Sequence, residues 1–362
     1  MTTAVELFSG GGGLAVGLKR AGVRPIAAVE IEPHAAATFR RNHPEVAVLQ
    51  HDVRRITDHL IKRMSRGRRV DILAACPPCQ GFSSLTAKYR REDARNYLVR
   101  EVTRACRALL PTALMLENVP GLAGKGKALL DELVHELEQL GYVVTWAVLQ
   151  VADYGVPQNR RRLVLLAGKG FRIDMPRPTH NKRGEGGLPR WRTLLDAIGH
   201  LPEPVSFDDL RRSKRSLAAV NWHVVRSISS QNRARLEAAE AGRSWSLLPE
   251  ELRAPCHRNG YRGFSNAYGK LCWSEPSSTI TAGCTTPSKG RFGHPDFPRA
   301  LSVREAALIQ TFPEDYEFET RFVERACEIV GNALPSLFAQ KIAEQVVRTM
   351  RAAKPWILEP IG

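Results

Sequence analysis

The sequence is short of the features that would assign it to a membrane or a secretory route. None of its 362 residues belongs to an apolar run approaching the roughly 18 residues of a membrane span. The opening stretch, MTTAVELFSG, lacks the basic head and apolar core of a secretory signal, so the expectation is a soluble, cytoplasmic chain. Cysteine numbers seven, an odd count without regular spacing, which argues against a disulfide framework and for free thiols in a reducing compartment. There are no internal repeats and no low-complexity tracts. Acidic residues are also in deficit, 37 against 53 basic ones, for a formal net charge of +16. That excess favours a polyanionic partner through counterion release. A generally arginine-rich proteome would produce the same balance.

What is present is an ordered alternation. Apolar runs at 4–8, 26–30, 46–50, 70–75, 112–117, 143–149 and 163–167 read as strands. Between them, Leu98, Val102, Ala105, Cys106 and Leu109 mark one helical face, and Leu129, Leu130, Leu133, Leu137 and Leu140 another. The alternation predicts an α/β chain with a Rossmann-like, mostly parallel sheet. After residue 175 the sequence turns rich in Pro, Gly and charge, then irregular, which predicts a smaller second domain over 176–321. Leu334, Phe338, Ile342, Val346 and Met350 restore helical spacing, so 322–362 is expected to complete the first domain, residues 1–175.

Two features carry chemistry. ELFSGGGG follows the first strand and opens a helix, so its glycines allow a tight turn and a close ligand approach. Glu30 ends the second strand, where a carboxylate can take ribose hydroxyls, and Asp52 follows the third, within reach of an adenine amino group. Ala15 stands where the dinucleotide fingerprint has its last glycine, so a nucleoside cofactor is supported and NAD is not required.

The second feature is CPPCQGFSS, 76–84. Zinc needs a second ligand pair, and no second C-x-x-C exists. A dithiol redox pair usually opens a helix, whereas a long polar loop follows here. An inert thiol leaves the two stiffening prolines unexplained. A nucleophile fits best, because Glu117 ends the next strand, and Gln158, Arg160 and Arg162 alternate at the start of another and are expected to share one face. A strand-end salt bridge at Glu117 and a solvated arginine face remain the plainer readings of those parts.

Together ELFSGGGG, VEIEP, HDV, PPCQGFSS, ENVPG, YGVPQNRRR, RALSVREAALIQTFP and GNALP resemble the cytosine-C5 DNA methyltransferase family, in the family's order. The resemblance implies transfer of a methyl group from S-adenosylmethionine to C5 of a cytosine flipped out of double-stranded DNA. It implies Cys79 as the thiolate that adds to C6, Glu117 at N3, Arg162 on O2, and Arg160 helping to position the base and the catalytic loop. For the cofactor it implies Phe8 against adenine, Gly10, Gly12 and Gly13 under the methionine part, Glu30 at the ribose, Ile31 and Val53 flanking adenine, and Asp52 at its amino group. Pro78, Leu98 and Asn332 line the same pocket on this reading. Cys76 stands where the family more often has a small residue and receives no role.

The resemblance further implies that the loop 84–96 closes over the flipped base, which suits Lys88, Arg90 and Arg91 as phosphate contacts. Arg211, Arg212, Lys214, Arg215 and the turn-rich 281–295 are candidates for backbone and groove contacts with DNA, making 176–321 a target-recognition domain, and surface solubility accounts equally well for the basic patch. The further expectations are a monomer of the compact prokaryotic or viral type, nucleoid-associated, with a restriction endonuclease acting separately. The alternatives are an RNA (tRNA) cytosine methyltransferase, a catalytically silent DNA-binding homologue and, last, a nicotinamide enzyme.

Overall fold

The computed structural model describes residues 1–65, 67–78, 94–258 and 265–357. The chain divides into two compact units: 1–154 with 161–178 and 334–362, and 155–160 with 179–333. The expected division placed 322–333 with the first unit. Those residues cluster with the second, because their helix packs on neighbours there.

The first unit alternates strands and helices in chain order. They are β1 (Thr3–Leu7), α1 (Gly13–Arg20), β2 (Arg24–Glu30), α2 (Pro33–Asn42), β3 (Ala47–Gln50), α3 (Asp58–Met64), β4 (Ile72–Ala75), α4 (Arg100–Leu109), β5 (Ala113–Asn118), α5 (Lys127–Gln139), β6 (Tyr142–Gln150) and β7 (Arg161–Lys169). One seven-stranded sheet results, ordered β3-β2-β1-β4-β5-β7-β6. The β1–β2, β1–β4, β2–β3 and β4–β5 pairs are parallel, whereas β7 runs antiparallel to both β5 and β6. Every strand read from the sequence is present. The apolar runs are uninterrupted because helices cover both sheet faces. On one face Val5, Leu7, Leu73, Ala75, Leu114 and Leu116 join the buried leucines of α5 and Val102 and Cys106 of α4 in the main core.

The second unit contains short elements: α6 (Leu194–Ile198), β8 (Val205–Ser206), α7 (Phe207–Arg212), β9 (Val224–Val225), α8 (Ser230–Ala238), α9 (Val303–Ile309) and α10 (Val323–Asn332). Side chains bonding to main-chain groups supply much of its order. Arg304, 1% exposed, donates to the carbonyls of Asn221, Pro313 and Tyr316. Burial lowers its pKa to about 10. Ser302 and Glu305 form a capping box on α9, and Arg299 grips Glu305 through both carboxylate oxygens at 2.8 and 2.9 Å.

The last helix, α11 (Ser336–Ile357), returns to the first unit and buries Phe338, Ala339, Ile342, Ala343, Val346 and Met350. It lies so close to α1 that a Cβ on Gly17 would come within 2.5 Å of the Ala339 Cβ and 2.6 Å of the Ser336 carbonyl oxygen. Gly17→Ala is therefore expected to cost roughly 1–3 kcal/mol by overpacking, read as a lowered denaturant midpoint. An unchanged midpoint would contradict this helix contact.

Candidate active site

The carboxyl ends of β1, β2, β4 and β5 share one edge of the parallel sheet, and the functional candidates of the first unit gather there. At the end of β1 the chain turns sharply. Phe8 has φ +56°, an uncommon conformation for an aromatic residue, and Gly10 and Gly12 follow with φ +56° and +94°. Gly12 is the N-cap of α1, and Gly13 begins it. A Cβ built on Gly10 would meet nothing within 4 Å, so the glycine there serves φ and leaves open space beside the loop.

Glu30 holds this turn. Its Oε2 accepts from the Gly10 amide at 2.7 Å and its Oε1 from the Glu32 amide at 2.9 Å. Burial raises its pKa, opposed by these amide bonds. Ile31, beside it, is 60% exposed, whereas Val53 is buried. Leu98 packs partly buried against the main core, and Pro78 is half-buried. Asp52 accepts from the Arg54 amide at 3.0 Å and from the Arg54 guanidinium, with Nη2 to Oδ2 at 2.6 Å. These hydrogen bonds are the first cause of its lowered pKa, so Asp52 remains an anionic acceptor. An open glycine turn, a carboxylate at the second strand's end and an exposed aliphatic side chain beside it suit a nucleoside with a charged tail.

The register of β4 with β5 builds the neighbouring cluster. Ala75 pairs with Leu116, so one step further Cys76 stands beside Glu117. The Cys76 amide still donates to the Leu7 carbonyl at 3.3 Å, and Asn118 Nδ2 donates to the Pro77 carbonyl at 3.2 Å. Glu117 pairs with Val164 on β7, and Arg162, two residues earlier, shares that face. Its Nε lies 2.6 Å from Glu117 Oε1, with the two side chains 14% and 11% exposed. Burial lowers the Arg162 pKa, opposed by the adjacent Glu117 charge. Cys79 and most of the 84–96 loop, including Lys88, Arg90 and Arg91, lie outside the described residues.

Two expectations change. Gln158, Arg160 and Arg162 do not share one strand face, because β7 begins at Arg161 and the two earlier residues belong to the second unit. There Arg160, 4% exposed, donates to the Ile280 carbonyl at 2.9 Å and the Gly331 carbonyl at 3.4 Å. Gln158 bonds Gln310, which donates to the Val330 and Ala333 carbonyls. Arg160 thus anchors main chain within its own unit, and Asn332 is exposed at the end of α10 in that unit. Segment 281–295 is largely interior: Cys284, Thr285, Pro287, Phe292 and His294 are buried, and Ser288 and Lys289 are exposed. Its backbone presses on α10, since a Cβ on Gly331 would meet the Ala282 amide nitrogen at 2.2 Å. Arg211, Arg212, Lys214 and Arg215 are exposed.

The sequence pattern of the C-5 cytosine-specific DNA methylase family matches residues 2–348. The chain belongs to that family. Among relatives, it is 35% identical to the Type II methyltransferase M1.HphI of Haemophilus parahaemolyticus, over 96% of this chain and 87% of that one. It is 31% identical to the Type II methylase M.HgiDII of Herpetosiphon aurantiacus, over 95% and 94%. A DNA modification methyltransferase from an Escherichia coli prophage shares the fold with a TM-score of 0.72 and 21% identity, covering 97% of this chain and all of that one. Spodoptera frugiperda DNMT2 does so at 0.61 and 18%, covering 97% of this chain and all of that one. This chain is therefore a DNA (cytosine-5)-methyltransferase of the Type II restriction-modification kind, with S-adenosylmethionine as methyl donor.

Glu6 escaped the sequence reading. It alternates away from Val5 and Leu7 and lies between Ala28 and Ala74 in register, fully buried, with neither carboxylate oxygen hydrogen-bonded. A lone acidic residue inside an apolar strand is the signal that could have found it. Burial pushes its pKa from the ordinary 4.5 to about 8. The folded state therefore holds a proton that the unfolded state has lost, so this group's contribution to stability falls as pH rises between those values. Glu6→Gln is expected to remove that fall, a differential on the order of a few kcal/mol between pH 5 and pH 8. Urea titrations of both proteins at the two pH values test it, and parallel behaviour would refute it.

Proposed function

We propose that this methyltransferase acts on a cytosine flipped out of a specific duplex sequence, through a transient bond between Cys79 Sγ and ring C6. The observation that carries the reading is the Glu117–Arg162 pair, 2.6 Å apart and nearly buried at the sheet edge beside the Cys76–Pro78 segment. A carboxyl group and a fixed guanidinium in one small site suit the N3 and O2 of a cytosine ring. As the Cys79 thiolate adds to C6, electron density from the C5–C6 double bond moves into the ring. Glu117, having taken up a proton as the base enters, delivers it to N3, so no full negative charge accumulates, and C5 becomes nucleophilic. S-adenosylmethionine supplies the electrophilic methyl group. Loss of the C5 proton to a base, with the N3 proton returning to Glu117, then expels the thiolate and restores the ring's double bond. Arg162 orients O2 throughout, and its charge keeps Glu117 directed into the site when the base is absent.

The cofactor's residues on this reading are Glu30 at the ribose, Phe8, Ile31 and Val53 around adenine, Asp52 at its amino group, and the Gly10–Gly13 turn beneath the methionine part. Pro78 and Leu98 complete the assignment within the first unit. Arg160 acts at one remove, by holding main chain at Ile280 and Gly331. The second unit is the target-recognition domain, and the exposed patch of Arg211, Arg212, Lys214 and Arg215 supports it as a phosphate contact. We place the enzyme in the cytoplasm as a monomer, with a cognate endonuclease acting separately. Among the described residues no helix is long and apolar enough to cross a membrane.

Duplex DNA of varied sequence carrying 5-fluorocytosine tests the mechanism. Fluorine at C5 blocks the final elimination, so incubation with S-adenosylmethionine is expected to leave a denaturation-resistant protein–DNA adduct. Cys79→Ser should abolish the adduct, and Glu117→Gln should lower its rate of formation by roughly 100-fold or more. An adduct that persists in Cys79→Ser would overturn the assignment. Methyl transfer to structured RNA in preference to duplex DNA would move the substrate to RNA.

A further inference from the structure

Cys76 received no role from its sequence context, yet its surroundings are specific. It follows β4 directly, and the β4–β5 register carried one residue onward sets it beside Glu117. Pro77 and Pro78 have no amide hydrogen with which to extend the ladder. Asn118, the residue after Glu117, instead secures this turn by donating to the Pro77 carbonyl at 3.2 Å. Of the ionisable groups around the Cys76 thiol, Glu117 acts on it most strongly. The ionisable groups facing the thiol are Glu117 on β5, Glu6 on β1 and Arg162 on β7.

We propose that Cys76 is a positioning residue for Glu117, its neutral S–H donating to the carboxylate that Arg162 Nε holds at 2.6 Å. The proposal rests on the role given to Glu117 above. One guanidinium contact at Oε1 leaves a carboxylate free to rotate about its terminal torsion, and a second donor from the adjacent strand removes that freedom. The direction of donation follows from the charges. Burial, then the negative charges of Glu117 and Glu6, push the thiol well above its ordinary range, with Arg162 opposing. The sulfur therefore keeps its proton at neutral pH and serves as a donor. Two cysteines separated by two prolines accordingly divide the work: Cys79 reacts as a thiolate, and Cys76 acts only while it stays a thiol.

The test compares the full-length wild type with Cys76→Ala and Cys76→Ser, using unmethylated duplex DNA of mixed sequence and radiolabelled S-adenosylmethionine. Cys76→Ala is expected to lower kcat roughly 5- to 10-fold, the scale of one ordinary hydrogen bond, with both KM values within about 2-fold of wild type. Cys76→Ser, which keeps a donor, is expected to restore kcat to within about 2-fold of wild type. A merely structural role would not produce rescue by serine together with unchanged KM values. Wild-type kcat in Cys76→Ala overturns the proposal, as does a serine variant no better than alanine. A binding titration with S-adenosylmethionine reports whether each variant is folded, and Cys76→Gly replaces the alanine variant, or Cys76→Thr the serine variant, where either is not. Absence of methyl transfer by the wild type would overturn the proposed mechanism itself, an outcome distinct from any difference among the variants.

Discussion

The ion pair between Glu117 and Arg162 is the constraint around which the first unit's functional edge is arranged. Two charges so nearly buried are tolerable only together, because each alone would bear the full loss of its hydration. Bringing them together requires a strand that runs against its neighbours. β7 lies antiparallel between β5 and β6, so its first residues reach the edge where the parallel strands end. A parallel β7 would present its carboxyl end there, and Arg162 would lie at the far side of the sheet. The single reversal in strand direction thus delivers a cation to the acidic end of β5.

The rest of that edge follows from how little side-chain volume the chain places there. The glycine turn after β1 leaves space beside Gly10, and Glu30 spends two acceptor sites on main-chain amides to keep the turn in shape. Phe8, at positive φ, stores a little strain at the same corner. Ala28 and Ala74 flank Glu6, whose bare carboxylate makes this part of the sheet sensitive to pH in a way an apolar strand would not be. Shape at the edge is thereby maintained by hydrogen bonds to backbone, with the larger apolar residues kept for the core below.

A different economy operates in the second unit. Few regular elements run through it, so many main-chain groups lack ladder partners and must be satisfied otherwise. Arg304, Arg160, Gln158 and Gln310 supply donors from long side chains that reach several carbonyls each. This explains why Gln158 and Arg160, from a strongly patterned motif, bond within the second unit, Arg160 to its main chain. Their polarity serves main chain that an irregular fold would otherwise leave unpaired.

The strands and helices of the first unit, the glycine turn, and the placing of Glu30 and Glu117 at strand ends were all legible in the sequence by itself. Apolar periodicity and punctuation by glycine and proline are local properties, and a parallel sheet turns each strand's end into a place on one edge. Family membership was legible too, because the motifs recur in order along the chain. Tertiary structure alone decided which neighbours those ends acquire. Alternation suggested that Gln158, Arg160 and Arg162 act together, but the strand starts between them, and the first two serve another unit. Likewise the turn residues of 281–295 suggested a DNA contact, although those turns fold it inward against α10. Neither Glu6 nor Cys76 could be valued from sequence, because burial and cross-strand register are sums over residues distant along the chain, and it is those sums that set the charge and the partner of each group.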